Sequence, residues 1–168
     1  MSHDGGSLVP ALRAHPFLRG LSEAQLKMIA DCAEHRSFAR HAYLMRQHRP
    51  AQCFFLLLSG RVSLCTHVAP RGVVQVDMAQ APAALGWSWL ASPYRWHFDA
   101  QTLEPVEAII VHAPRIREYM AEHKAFANEL YRRFFELVVS RVHGVQLQMM
   151  DIYAKPDSGD LHYHGDIR

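Results

Sequence analysis

Long apolar runs are missing from this chain. No stretch of its 168 residues reaches the roughly 20 apolar positions of a membrane-spanning helix. The opening Met1-Ser2-His3-Asp4-Gly5-Gly6-Ser7 is too polar for a secretory signal. No membrane association is expected, and the expected location is the cytoplasm. Cysteine is scarce. Cys32, Cys53 and Cys65 stand far apart, which excludes a disulfide framework and fits reduced thiols. Net charge is nearly absent as well, at +2, so composition makes no electrostatic case for nucleic acid or an anionic membrane. With 49% hydrophobic and 20% charged residues, the chain reads as one globular domain with a sizeable core.

Catalytic and metal-binding patterns are missing too. Twelve histidines are present, but His41, His48, His112 and His123 lack the tight spacing of zinc ligands. The only close pair, His162-Tyr163-His164, lies near the polar C-terminus. No metal site is assigned. Neither Ser59 nor Ser88 sits in a nucleophile motif, and Gly86-Trp87-Ser88 is not a nucleophile elbow. Asp99 and Glu104 read as turn carboxylates, and no enzyme is expected.

What is there falls into three parts. Residues 1–14 read as a flexible leader, 15–153 as one domain and 154–168 as a tail. Ser22-Glu23-Ala24-Gln25 is a capping-box pattern, and Leu26, Ile29 and Ala30 follow at helical spacing, predicting a short first helix. From about Arg36 to His112 the text breaks into strand-like pieces: Tyr43–Arg46, Cys53–Leu58, Val62–His67, Val73–Met78, Ala100–Leu103 and Glu107–Val111. Phe54 to Leu64, with Ser59-Gly60 at its centre, reads as two antiparallel strands joined by a tight turn in which Gly60 takes a positive φ. Strands at this spacing predict a sandwich or barrel.

Two landmarks carry a sharper message. The Phe54–Leu64 segment is followed by Leu85-Gly86-Trp87-Ser88-Trp89-Leu90 and then Phe98-Asp99-Ala100. Their order and spacing resemble the cyclic-nucleotide-binding domain of the Crp/Fnr regulators, from Pro16-Phe17-Leu18 to about Val142. The resemblance implies an α+β, mainly β fold: a double-stranded β-helix, or jelly-roll β-roll, with a short N-terminal and a long C-terminal helix. It places His41 and His48 at turns where the family often has glycine, and histidine tolerates that left-handed backbone with some strain. The four clustered cysteines of the family's iron–sulfur sensors are lacking. A family member can sense gas through haem held by His or Cys, and Cys65 and His67 on one strand could be cast for that.

The second landmark corresponds to the family's phosphate-binding cassette. There a Gly-Glu pair starts a short helix, and Arg, Ser or Thr, then Ala close it. Helix N–H groups and the guanidinium hold the phosphate, and the Glu takes the ribose. Gly86 and Ala100 are kept. Trp87 stands at the Glu position, Phe98 at the Arg position and Asp99 at the Ser/Thr position. Hydrogen bonds to charged groups contribute ~1.5–3 kcal/mol each. Losing ~3–5 of the roughly 8 kcal/mol of a micromolar site leaves millimolar binding. The candidate pocket comprises Gly86, Trp87, Ser88, Trp89, Arg95, Phe98, Asp99 and Ala100; Arg95, three residues before the expected Arg and starting from a different turn, would have to swing in to replace it. Trp87, Trp89, Tyr94, Trp96 and Phe98 either fill the pocket or stack on a flat ligand, and the bulk of the rings favours filling.

From Pro114 onward the text is helical. Tyr131, Phe135, Val138, Val142, Val145, Met149 and Ile152 alternate steps of four and three, a seam held for three heptads. Leu130, Phe134 and Leu137 form an adjoining stripe suited to the β-roll. Gly144 weakens the helix by ~1 kcal/mol while allowing close backbone approach. The family dimerises through a helix here, so residues 113–153 are expected to make a homodimer. Arg132, Arg133 and Arg141 read as solvated, or as partners of Glu129 and Glu136. After Tyr153 the sequence Ala154-Lys155-Pro156-Asp157-Ser158-Gly159-Asp160 has linker composition, where a Crp/Fnr transcription factor continues into a helix-turn-helix domain. No specific DNA binding is expected.

The expected function is regulatory: a sensor domain with a degenerate cassette that signals through its dimer helix to a protein partner of unknown identity. Two rivals remain open, a cyclic nucleotide receptor that uses Arg95 and a ligand-free interaction scaffold. No cofactor is assigned beyond room for a cyclic nucleotide or another small ligand.

Overall fold

The computed structural model describes residues 5–154, with side chains from Leu8 onward except those of 145 and 147–154. The N-terminal segment expected to be a flexible leader folds from Gly5 as helix α1 (Gly5–Ala14). It does so because Val9 and Leu12, three apart, bury on one face while Leu8 and Ala11 pack beside them. A single 3-10 turn follows, and then α2 (Glu23–Ala30) starts at the predicted capping box, with both Ser22–Gln25 hydrogen bonds formed.

Eight strands follow: β1 (Ala33–Phe38), β2 (Tyr43–Met45), β3 (Cys53–Ser59), β4 (Arg61–Val68), β5 (Gly72–Gln80), β6 (Ala83–Leu85), β7 (Asp99–Thr102) and β8 (Val106–His112). They form two antiparallel four-stranded sheets, ordered β1-β8-β3-β6 and β2-β7-β4-β5. This is a jelly-roll β-roll, the architecture that the sequence resemblance implies. All six strands expected from the sequence are present, and β1 and β6 are additional.

One local expectation fails. β3 and β4 are not a hairpin: β3 pairs with β6 and β8, whereas β4 pairs with β5 and β7 in the other sheet. Ser59-Gly60 is the corner at which the chain changes sheets. Gly60 does take φ +85°, but a Cβ there would stand 2.6 Å from the Pro105 carbonyl oxygen, so the corner is closed by a neighbouring loop. The apolar text of β3 reflects its central place, with Phe54 to Leu57 all buried. His41 and His48 both sit at φ +67°, as the turns require.

The helical C-terminal third is two helices, α3 (Ala113–Glu122) and α4 (Lys124–Ala154), parted where His123 leaves helical geometry at φ −119°, ψ 79°. Leu130 and Phe134 bury against the roll as expected, and Leu137 packs beside them. The Phe134 ring lies edge-on to Phe54 at 5.3 Å and to Trp89 at 5.7 Å, while Phe54 and Trp89 stack at 5.4 Å. These three rings fasten α4 to the roll beside the pocket. On the outer face Tyr131, Phe135, Val139 and Val142 remain exposed, Phe135 by 69%. Val145 and Met149 lie outside the residues whose side chains are described.

Candidate ligand-binding site

β6 delivers the chain to Gly86, whose left-handed backbone (φ +89°, ψ 58°) turns it into a 3-10 helix, Trp87–Leu90. Glycine is required twice over, because a Cβ would also stand 2.9 Å from the Trp96 ring. Trp87 stacks on His97 at 4.5 Å, and the Ser88 hydroxyl meets His97 Nδ1 at 2.8 Å. Arg117 donates to the Trp89 carbonyl at 3.1 Å and so caps the end of the short helix.

Around this turn lies a cavity of about 270 Å³. Gly86, Trp87, Ser88, Trp96, His97 and Phe98 form its cassette wall, Met45, Leu64, Val76 and Leu85 its sheet wall. Its roof is α4, through Leu137, Val138, Arg141, Val142 and Gln146. The rings therefore line the space rather than fill it, contrary to the expectation from their bulk. The reason is that one of the three tryptophans points elsewhere: Trp89 is wholly buried in the core against Phe54 and Phe134, and its indole N–H has no partner.

The remaining predicted pocket residues divide. Gly86, Trp87, Ser88 and Phe98 face the cavity. Arg95 does not: it is exposed and donates to the His48 carbonyl at 2.7 Å, clamping an outer loop. Asp99 accepts from the Gln47 amide at 2.6 Å, so its carboxylate organises the neighbouring loop rather than repelling a ligand. Ala100 is buried in β7 opposite Leu64. Tyr94 is exposed beneath the Arg117 guanidinium, at 4.9 Å from its ring centre.

The charged groups of the cavity are ones the sequence reading did not place there. Arg141 of α4 donates to Asp77 of β5 at 2.8 Å and to the Ala84 carbonyl at 3.1 Å. Burial pulls the Arg141 guanidinium below its ordinary pKa, against the opposing pull of Asp77. Arg141 is thus not a solvated residue. A signal was available: Leu130, Phe134, Leu137 and Arg141 continue one stripe by steps of four, three and four. Arg132 does pair with Glu129 and Glu136. Arg133 pairs with Glu129 and also caps the carbonyls of Phe17 and Arg19. Two seam positions, Val138 and Val142, turn out to line the cavity too, so α4 has one edge on the pocket and another in solvent.

The chain is thus a two-sheet β-roll with a glycine-initiated short helix and a cavity roofed by a long C-terminal helix. Residues 35–123 match the family model described as the cyclic nucleotide-binding domain. The chain belongs to that family. No curated protein sequence matches it. Among solved structures, a candidate cyclic nucleotide-binding protein from Geobacter metallireducens GS-15 is 28% identical, over 80% of this chain and 97% of that one, with a TM-score of 0.72. A cyclic nucleotide-binding domain from Methylobacillus flagellatus KT shares the fold at 12% identity (90% and 85% covered, TM-score 0.72). So does the regulatory domain of Toxoplasma gondii PKA with cAMP, at 15% identity (74% and 48% covered, TM-score 0.63). Among the described residues, no helix is long and apolar enough to cross a membrane.

Proposed function

We propose that this protein is a regulatory domain that has kept the pocket of its family and exchanged its phosphate chemistry, so that it does not bind cAMP in the family's ordinary way. The carrying observation is the cavity wall: Phe98, which matches the family's arginine by sequence spacing, lines the cavity, and among the described residues the guanidinium that lines it, Arg141, is held by Asp77. Arg95 is engaged outside, which disfavours the receptor reading that relies on it. The regulatory output is assigned to α4. Its inner edge roofs the cavity while Tyr131, Phe135 and Val142 expose an apolar strip suited to a second copy of the helix. Occupancy of the cavity therefore bears on the position of the strip that a homodimer would use. The arginines of α4 are engaged by carboxylates, which favours a protein partner over DNA.

Reintroducing the missing groups tests the proposal. Trp87→Glu with Phe98→Arg, leaving Asp99 on its Gln47 amide, is expected to tighten cAMP binding at least ~10-fold by titration calorimetry. A variant with unchanged circular dichroism and no gain would overturn the claim that side-chain replacement alone disables this cassette.

A further inference from the structure

The cavity also constrains what it holds, and this step rests on the reading above. Its three aromatic walls, Trp87, Trp96 and Phe98, and the Met45 thioether favour flat rings. Its charge is closed. Asp77 Oδ1 accepts from the Met78 amide and Oδ2 from Arg141, which also donates to Ala84. An anionic ligand competes with Asp77 for Arg141, and a cationic one competes with Arg141 for Asp77. Either exchange leaves a partly buried charge unpaired. The polar points that remain are the Ser88–His97 pair among the rings, whose hydroxyl and ring nitrogens can serve a single donor or acceptor, and the exposed Gln146 amide on the helix roof. Size follows from volume: a cavity of about 150 Å³ takes benzene, so about 270 Å³ suits two fused rings.

We infer that the pocket binds an uncharged, flat two-ring aromatic molecule carrying one hydroxyl or carbonyl group, which hydrogen-bonds to Ser88 or His97 while its rings lie among Trp87, Trp96 and Phe98. Two near-isosteres test this by calorimetry, 2-naphthol and 2-naphthoate. The naphthol is expected to bind at least ~10-fold more tightly than the carboxylate. Val76→Phe, which narrows the sheet wall, is expected to abolish naphthol binding. Asp77→Asn frees Arg141 and is expected to raise naphthoate affinity at least ~10-fold, an effect that misfolding cannot mimic. Naphthoate binding as tightly as naphthol, or naphthol binding undiminished by Val76→Phe, would overturn the inference. A cAMP titration run alongside separates the two levels. Silence from all three compounds removes the aromatic ligand and leaves the proposed function standing, whereas micromolar cAMP removes both.

Discussion

Arg141 and Asp77 should be coupled energetically, and a double-mutant cycle can measure by how much. Their side chains are 19% and 28% exposed, and they meet at 2.8 Å. Exposed pairs contribute only ~0.2–1 kcal/mol, while stripping one partner from a fully buried pair costs ~3–5. This pair lies between, so Asp77→Asn should cost ~2 kcal/mol, or roughly 4–8 °C in melting temperature for a chain of this length. Arg141→Met keeps the apolar stem and loses both the ion pair and the Ala84 hydrogen bond, the latter worth ~1 kcal/mol. Combined, the two changes should cost less than their sum by ~1–2 kcal/mol. Urea unfolding at fixed protein concentration reads all three variants. Added salt should barely reduce the coupling, because the pair is shielded on most sides. A coupling below ~0.3 kcal/mol would show both charges to be solvated, and the closed electrostatics of the cavity would fall with it.

Two further outcomes follow from α4 and from the N-terminal junction. Phe135→Asp, on the exposed strip and away from the cavity, should convert a dimer to a monomer in light scattering at tens of micromolar. A monomeric unmutated protein at that concentration would remove the dimer. Burial pushes the His15 ring below its ordinary pKa, against hydrogen bonds to the Leu57 and Ala83 carbonyls that pull it up. Since the unfolded ring takes a proton more readily than the folded one, stability is full above about pH 6.5 and declines as pH falls toward the folded value, by at most ~1.4 kcal/mol per pH unit. His15→Asn should flatten that decline in urea midpoints measured between pH 7 and 5, and an unchanged slope would assign it to other groups.

What the sequence disclosed, and what it hid, follows from the range of the forces involved. The capping box of α2, the strands with apolar alternation and the inner stripe of α4 are local patterns, and the structure contains them. β1 was illegible because Glu34, His35 and Arg36 are half-buried or exposed, so its strand character comes from pairing with β8 and not from its own text. The corner at Gly60 looks like a hairpin turn because glycine with positive φ serves both, whereas the sheet that receives β4 is set by its pairing with β5 and β7. α1 was hidden by its Gly5-Gly6 start and Pro10, which lower helix propensity until Val9 and Leu12 find the core. Within the site, the family spacing located Gly86, Trp87, Ser88 and Phe98. It could not locate Asp77, which meets Arg141 across 64 positions of sequence, nor foresee that Arg95, Asp99 and Trp89 have partners of their own.

Titration calorimetry of cAMP into the unmutated protein tests most directly whether this pocket has given up its family's ligand. With the guanidinium position held by Phe98 and Arg141 bound to Asp77, no saturable heat is expected below about millimolar cAMP. A dissociation constant of tens of micromolar or tighter, lost in Arg141→Met, would contradict it by showing that the ion pair opens to receive the phosphate.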